Sequence, residues 1–354
     1  MTPFTYAVHQ HEDAAVADMT QALGAGAAPE HVRFVAGGTN LLDLMKENIV
    51  RPARLIDVSR LPLDAIEETG EGGLRLGATA RNADTAYHPA VRSRYPLLTS
   101  ALLAGASPQL RNMATNAGNL LQRTRCVYFY DAGVPCNKRT PGSGCPAIGG
   151  LTRQHAILGA SEHCIATHPS DFCVALAALD AVVQVRSVRG VRQIPFGEFH
   201  RLPGDRPQDD TTLAADELVT HIDLPPAPEF VAHSVYLKLR DRASYAFALV
   251  SVAAALDLAA DGTIRAARVA LGGVAHRPWR LPSAESLLVG APATPESFAM
   301  LADALLRDAR GQGGNDFKIP LARRAIVRAL ETAAAGTVTN EGENRRTRLA
   351  GDAP

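Results

Sequence analysis

The sequence predicts an α+β protein of more than one domain, and three observations carry that reading. Over the first 225 or so residues, short strand-like runs alternate with helical patterns. Pro225-Pro226-Ala227-Pro228 then breaks the chain. Beyond it come three strand-like runs followed by two helical ones. At about 150 residues per domain, 354 residues allow two or three such units. A 46% hydrophobic content against 20% charged residues can fill their cores.

Taken in order, residues 12–23 form a helix: Ala15, Val16, Met19, Ala22 and Leu23 share one stripe, and Gly24 and Gly26 stop it. Residues 31–36 alternate polar with apolar as a strand does and run into Gly37-Gly38-Thr39-Asn40, after which Leu41, Leu42, Leu44 and Met45 turn helical. Strands follow at 55–58 and 74–78, helices at 82–86 and 97–105. From 109 to 168 the pattern dissolves into Gly, Pro, Arg and Cys, and a loop that long needs something to order it. Pro169-Ser170-Asp171-Phe172 opens a helix through Leu179, and a hairpin spans 182–194, turning at 187–190. A polar surface loop at 203–208 precedes a strand at 218–224. After the prolines come strands at 236–239, 250–258 and 264–271, helices at 297–309 and 321–335, and a polar tail, 337–354, expected to be disordered.

Thirty-six basic residues balance 36 acidic ones, which excludes a nucleic-acid or anionic-membrane binder. No apolar run approaches the 18 or so residues of a membrane span. The start, MTPFTYAVHQHEDAAVADM, has neither a basic nor an apolar leader region. A cytoplasmic location is therefore expected, or a periplasmic one reached only together with a signal-bearing partner.

Two glycine elbows stand out. In Gly37-Gly38-Thr39-Asn40, adjacent glycines let backbone N–H groups converge on an anion such as a pyrophosphate, and Thr39 and Asn40 add side-chain donors. Thr115-Asn116-Ala117-Gly118-Asn119 is a second elbow, and the two could grip one diphosphate from both sides.

All five cysteines fall within 48 residues, and an odd count leaves one outside a four-ligand site. Cys126, Cys136, Cys145 and Cys164 are separated by nine, eight and 18 residues, unlike the close pairs of structural zinc sites. Four soft thiolates on a loop with no other means of ordering suit a [4Fe-4S] cluster. Its anionic charge fits Arg111, Arg123, Arg125, Lys138, Arg139 and Arg153, with Asp131 the single carboxylate in that stretch. Cys173, among apolar neighbours on the helix that follows, reads as a core residue. His155, His163 and His168 show no metal-pair spacing and read as structural or as neighbours of the cluster ligands.

The string Val35-Ala36-Gly37-Gly38-Thr39-Asn40-Leu41, Gln109-Leu110-Arg111-Asn112 with the second elbow, Pro169-Ser170-Asp171, and Leu271 to Arg280 (LGGVAHRPWR) together resemble the FAD-binding subunit of the xanthine dehydrogenase, or molybdenum hydroxylase, family. The resemblance covers residues 5–335. It implies a PCMH-type FAD fold of two α/β subdomains (1–60 and 61–226, with the cluster loop at 111–168) and a C-terminal domain (227–336) resembling the CO dehydrogenase flavoprotein, a three-stranded antiparallel sheet with helices. Carried across by position, the FAD contacts would be Ala36, Gly37, Gly38, Thr39, Asn40, Leu41, Thr115, Gly118, Asn119 and Asp171. Lys238 would lie near the flavin ring and Val219 would be a further backbone contact. Ala117 stands where the family commonly has glycine, which a negative φ would permit. No catalytic residue is expected in this chain beyond the flavin it holds.

The cysteine strings QRTRC, PCNKR and GSGCPAI resemble those of the periplasmic aldehyde oxidoreductases, a group that shares this insertion with the 4-hydroxybenzoyl-CoA reductases. The resemblance implies an electron-transfer subunit of a heterotrimer, fed by a [2Fe-2S] subunit and a molybdenum-cofactor subunit that oxidises the aldehyde. Two alternatives stand beside it: a self-contained FAD oxidase of the same fold, and a non-enzymatic iron–sulfur redox sensor.

Overall fold

The computed structural model describes residues 1–337; beyond Thr337 the expected disordered tail lies outside the described residues. Thr337 itself is held in place: its N–H donates to Ala232 O at 2.8 Å, and its hydroxyl donates to Val231 O at 2.6 Å.

Three sheets organise the chain. The first is parallel, in the order β1-β3-β2, with β1 at Thr5–Val8, β2 at Val32–Val35 and β3 at Arg54–Asp57. The helix Glu12–Gly24 crosses from β1 to β2, burying Ala15, Val16 and Met19 from the expected stripe. β1 escaped sequence reading because it is an edge strand with Tyr6 and Val8 exposed, so it lacks alternation.

The second sheet is antiparallel, in the order β4-β5-β8-β6-β7: β4 (Ile66–Glu68), β5 (Leu74–Gly77), β6 (Val182–Ser187), β7 (Gly190–Pro195) and β8 (Leu218–Leu224). The predicted hairpin is β6–β7, in register from Val182↔Pro195 to Ser187↔Gly190. Within the supposed structureless stretch lie three short helices, Pro108–Arg111, Asn116–Leu120 and Val127–Tyr130. Each is about one turn, too short to show a 3.6-residue period.

The third sheet has four antiparallel strands rather than the expected three: β9 (Ser234–Leu239), β10 (Val250–Leu258), β11 (Ile264–Gly272) and the two-residue β12 (Trp279–Arg280), which pairs with Ala270 and Leu271. Two residues carry no readable period. β10 is apolar on both sides because both of its faces are covered. Val250, Val252, Ala254 and Leu256 pack with the helices Pro295–Leu305 and Lys318–Ala334. Ala253 and Ala255 belong to the core shared with the helices Pro96–Ala104 and Asp171–Ala178. Alanines on that face let the helices come close, so the C-terminal sheet and the preceding region share one apolar interior.

Candidate functional site

Three segments predicted separately converge. Gly37 lies so close to the chain before the second elbow that a Cβ there would sit 1.9 Å from Met113 O. Gly38 has φ +71°, the left-handed conformation that favours glycine. Asn40 reaches across, its Oδ1 accepting the Arg123 N–H at 2.8 Å. Ala36 and Leu41 flank the turn half-buried, and Thr39 is exposed.

In the second elbow, Thr115 caps the helix Asn116–Leu120, its hydroxyl accepting the Gly118 N–H at 3.2 Å. Ala117 lies in that helix and is absent from the positive-φ residues, so its Cβ is accommodated. Asn119 donates to Asn82 Oδ1 at 2.7 Å and accepts from Ser170 Oγ at 2.6 Å. That last bond ties the elbow to the start of the helix Asp171–Ala178, which Ser170 caps.

Asp171 and Lys238 are joined directly. Lys238 Nζ donates to Asp171 Oδ2 at 2.7 Å and to Ala104 O at 3.1 Å, and Tyr236 donates to Asp171 Oδ1 at 2.6 Å. The lysine side chain is 4% exposed, so it is an interior ion-pair partner rather than a solvated strand residue. Burial, then the neighbouring carboxylate, pushes the Tyr236 hydroxyl well above its usual range. Val219 stands apart, its side chain in the core and its residue paired with Val185. Its neighbour Thr220 connects to the second elbow through Ala78, which bonds both Thr220 O and the Ala117 N–H.

Cys126, Cys136, Cys145 and Cys164 line one cavity of about 310 Å³. None of the four forms a disulfide. Burial pushes the Cys126 thiol up to about 11, against the pull of the Tyr128 and Phe129 N–H groups on its sulfur. Burial also raises Cys164. Four sulfurs converging in one enclosed space are poor company for one another as thiolates unless a cation compensates them. The donor set and its enclosure therefore fit a sulfur-ligated metal centre. Cys173 does not line this cavity; it is fully buried in its helix. Its sulfur lies near buried His168 and His200, with ligand atoms within 4.8 Å of one another. His168 Nδ1 accepts the Ser170 N–H at 3.4 Å, and His200 pairs through Nε2 with Leu120 O at 2.9 Å. Those tautomers set one donor against one acceptor rather than two lone pairs toward a metal.

A larger cavity of about 880 Å³ adjoins the first. Thr124 and Cys126 line both, and the larger one reaches Asp171, Phe247, Gly272 and Gly273. A Cβ on Gly272 would lie 2.4 Å from Ser251 Oγ and one on Gly273 2.7 Å from Ala248 O, so this glycine pair is required by close packing.

Of the six basic residues expected to balance a cluster, Lys138 lines the cysteine cavity and the others brace the loop. Arg111 donates to Gly105 O at 2.6 Å, and Arg139 donates to the carbonyls of Tyr128 and Phe129 at 2.6 and 2.7 Å. Arg125 stacks 5.0 Å over Phe247, and Arg153 pairs with Asp241 at 2.6 Å. Arg123 and Lys138 both pair with Asp210, a residue that sequence reading passed over because it follows a polar loop. Burial alone would raise the Asp210 carboxyl, but Arg123, Lys138 and His276 outweigh it and hold the group far below the carboxylate range. Its stabilisation is thus complete above the unfolded pKa, near 4, and fades as pH falls below it. Asp210→Ala should cost about 3 kcal/mol at neutral pH by leaving Lys138 buried and unpaired. Its acid-unfolding slope below pH about 4 should be shallower than that of the native chain. Denaturant melts at stepped pH check both; equal slopes would exclude Asp210 as the group responsible.

Comparisons with known proteins bear on the fold and the family. Residues 10–227 match the family described as the FAD binding domain in molybdopterin dehydrogenase, and residues 235–333 match the CO dehydrogenase flavoprotein C-terminal domain. The chain belongs to the FAD-binding medium subunits of the molybdenum hydroxylase family. It is an oxidoreductase subunit of that kind. It is 53% identical over 304 residues to the aldehyde oxidoreductase FAD-binding subunit PaoB of Escherichia coli K12, covering 86% of this chain and 92% of the relative. It is 27% identical to the nicotine 6-hydroxylase medium subunit of Paenarthrobacter nicotinovorans, over 87% of this chain and 92% of that one. Among solved structures, the carbon monoxide dehydrogenase of Hydrogenophaga pseudoflava superposes with a TM-score of 0.72 at 26% identity, over 94% of this chain and 98% of its own. Among the described residues, no helix is long and apolar enough to cross a membrane.

Proposed function

We propose that this chain is the FAD- and [4Fe-4S]-containing electron-transfer subunit of a heterotrimeric molybdenum hydroxylase whose substrate is an aldehyde. The observation that carries the reading is the pair of adjoining cavities, one ringed by four cysteines and the other bordered by Asp171, with Cys126 in the wall between them. The 53% identity to an aldehyde oxidoreductase subunit supports the substrate class. In this reading a [2Fe-2S] subunit delivers electrons from a molybdenum-cofactor subunit, and a terminal acceptor takes them from the flavin.

FAD, when bound, couples one-electron delivery to two-electron release. The protein's part is placement. Residues Ala36 to Leu41 and Thr115, Gly118 and Asn119 would cradle the diphosphate, with Gly37 and Gly38 leaving room for close backbone approach. Asp171, at the edge of the larger cavity, orients Lys238 toward the flavin ring, and Val219 would add a further backbone contact. Cys126, Cys136, Cys145 and Cys164 would hold the cluster. The corresponding domain limits are 1–60, 61–226 and 227–336. The location is the cytoplasm, or the periplasm by export with a signal-bearing partner.

Anaerobic purification with iron, sulfide and flavin counts, together with identification of co-purifying chains, tests the whole reading. Four irons and one flavin per chain, with two partner subunits, are expected. Aldehyde turnover by the chain alone would favour a self-contained oxidase, and iron without flavin would favour a redox sensor.

A further inference from the structure

His155 lines the larger cavity and reaches one cysteine of the smaller one. Its Nε2 lies 3.1 Å from the sulfur of Cys126. The residue is held from several directions and is 4% exposed. Its N–H donates to Thr152 O at 2.8 Å. Its carbonyl accepts from Asn315 Nδ2 at 3.1 Å and from Lys318 Nζ at 2.8 Å, and both of those residues are 0% exposed. Lys318 Nζ also donates to Gly273 O at 2.5 Å, so one side chain clamps the cysteine loop to the glycine pair of the C-terminal domain. These bonds fix the His155 backbone, and burial packs the ring that it carries against the sulfur.

An iron-bound thiolate carries no proton and can only accept a hydrogen bond. The imidazole must then present Nε2–H to it. Nδ1 is buried without a hydrogen bond of good geometry, so nothing draws the proton to the other nitrogen. We infer that His155 is a positioning residue for the iron–sulfur centre: its Nε2–H donates to the Cys126 sulfur, holds that ligand in the wall shared with the larger cavity, and raises the centre's reduction potential. Withdrawing electron density from the thiolate favours the reduced, more anionic state, which is the physical cause of the rise. The inference rests on the cluster reading above.

The test uses the full protein in its assembled, anaerobically purified form. Pulsed EPR of the reduced native protein, labelled with ¹⁵N-histidine, should show one weakly coupled histidine nitrogen. Redox titrations of the native protein, His155→Leu and His155→Gln should be run beside iron and flavin counts. His155→Leu should keep its iron, lose the coupling and titrate at a more negative potential. His155→Gln, whose amide N–H can replace the donor, should return toward the native value. A purely structural histidine would change melting or iron content and leave the potential alone. If His155→Leu sheds iron, the nitrogen coupling in the native protein decides by itself. A full-iron native cluster without that coupling, or an unchanged potential in His155→Leu, overturns the inference. A native chain without iron overturns the cluster reading instead, so the two failures are distinguishable.

Discussion

Gly38→Val is expected to strip the protein of flavin while leaving it folded. At φ +71°, a side chain costs about 1–2 kcal/mol, and more for a β-branched one. The added Cβ would lie 2.8 Å from Leu42 Cδ1, the far end of a flexible side chain that can move aside. Such a cost is tolerable against the 5–15 kcal/mol of a typical domain. The turn that adjusts, however, is the one proposed to bring backbone N–H groups to the diphosphate. Losing about 2 kcal/mol of that contact weakens retention roughly thirtyfold. The flavin-to-protein ratio after gel filtration measures it, and a normal ratio with a normal melt counts against the diphosphate assignment. Gly37→Ala makes the contrast. Its Cβ would lie 1.9 Å from a backbone oxygen that cannot yield, so the two elbows must separate and the fold itself should suffer.

The other large effect is expected from Cys145→Ser. Serine is a poor ligand for a thiophilic centre, so iron and sulfide should fall sharply, and residues 111–168 should become sensitive to protease. That stretch has two one-turn helices and depends on side-chain braces such as Arg139. Cys173→Ser is the control. Its thiol, pushed up to about 12 by burial, belongs to the core around the helix Asp171–Ala178. Iron should be unchanged there; its loss would mean that the four ligands were wrongly chosen.

Both predictions depend on how the elbows and the loop are fastened. Asn40 holds Arg123, Arg123 pairs with Asp210, and Asp210 also holds Lys138 on the far side of the cysteine cavity. A perturbation at Gly38 therefore has a route to the cluster loop, and iron content should be measured in that variant as well.

Much of this molecule was legible in its linear order. Glycine pairs mark turns that only glycine makes easily, four cysteines of one Gly- and Pro-rich loop line a single cavity, and apolar periodicity located most of the longer strands and helices. Those signals are local, set by one residue's conformational freedom or by a repeat within a single element. What only the tertiary structure decided are pairings between residues far apart in the chain: Lys238 with Asp171, Asp210 with Arg123 and Lys138, and Lys318 with the carbonyl of His155. A buried charge or imidazole has no local signature, because its partner is chosen by which surfaces pack together. β1 and β12 were missed for a related reason: an exposed edge strand and a two-residue strand exist through the neighbours they bond to, not through any pattern of their own.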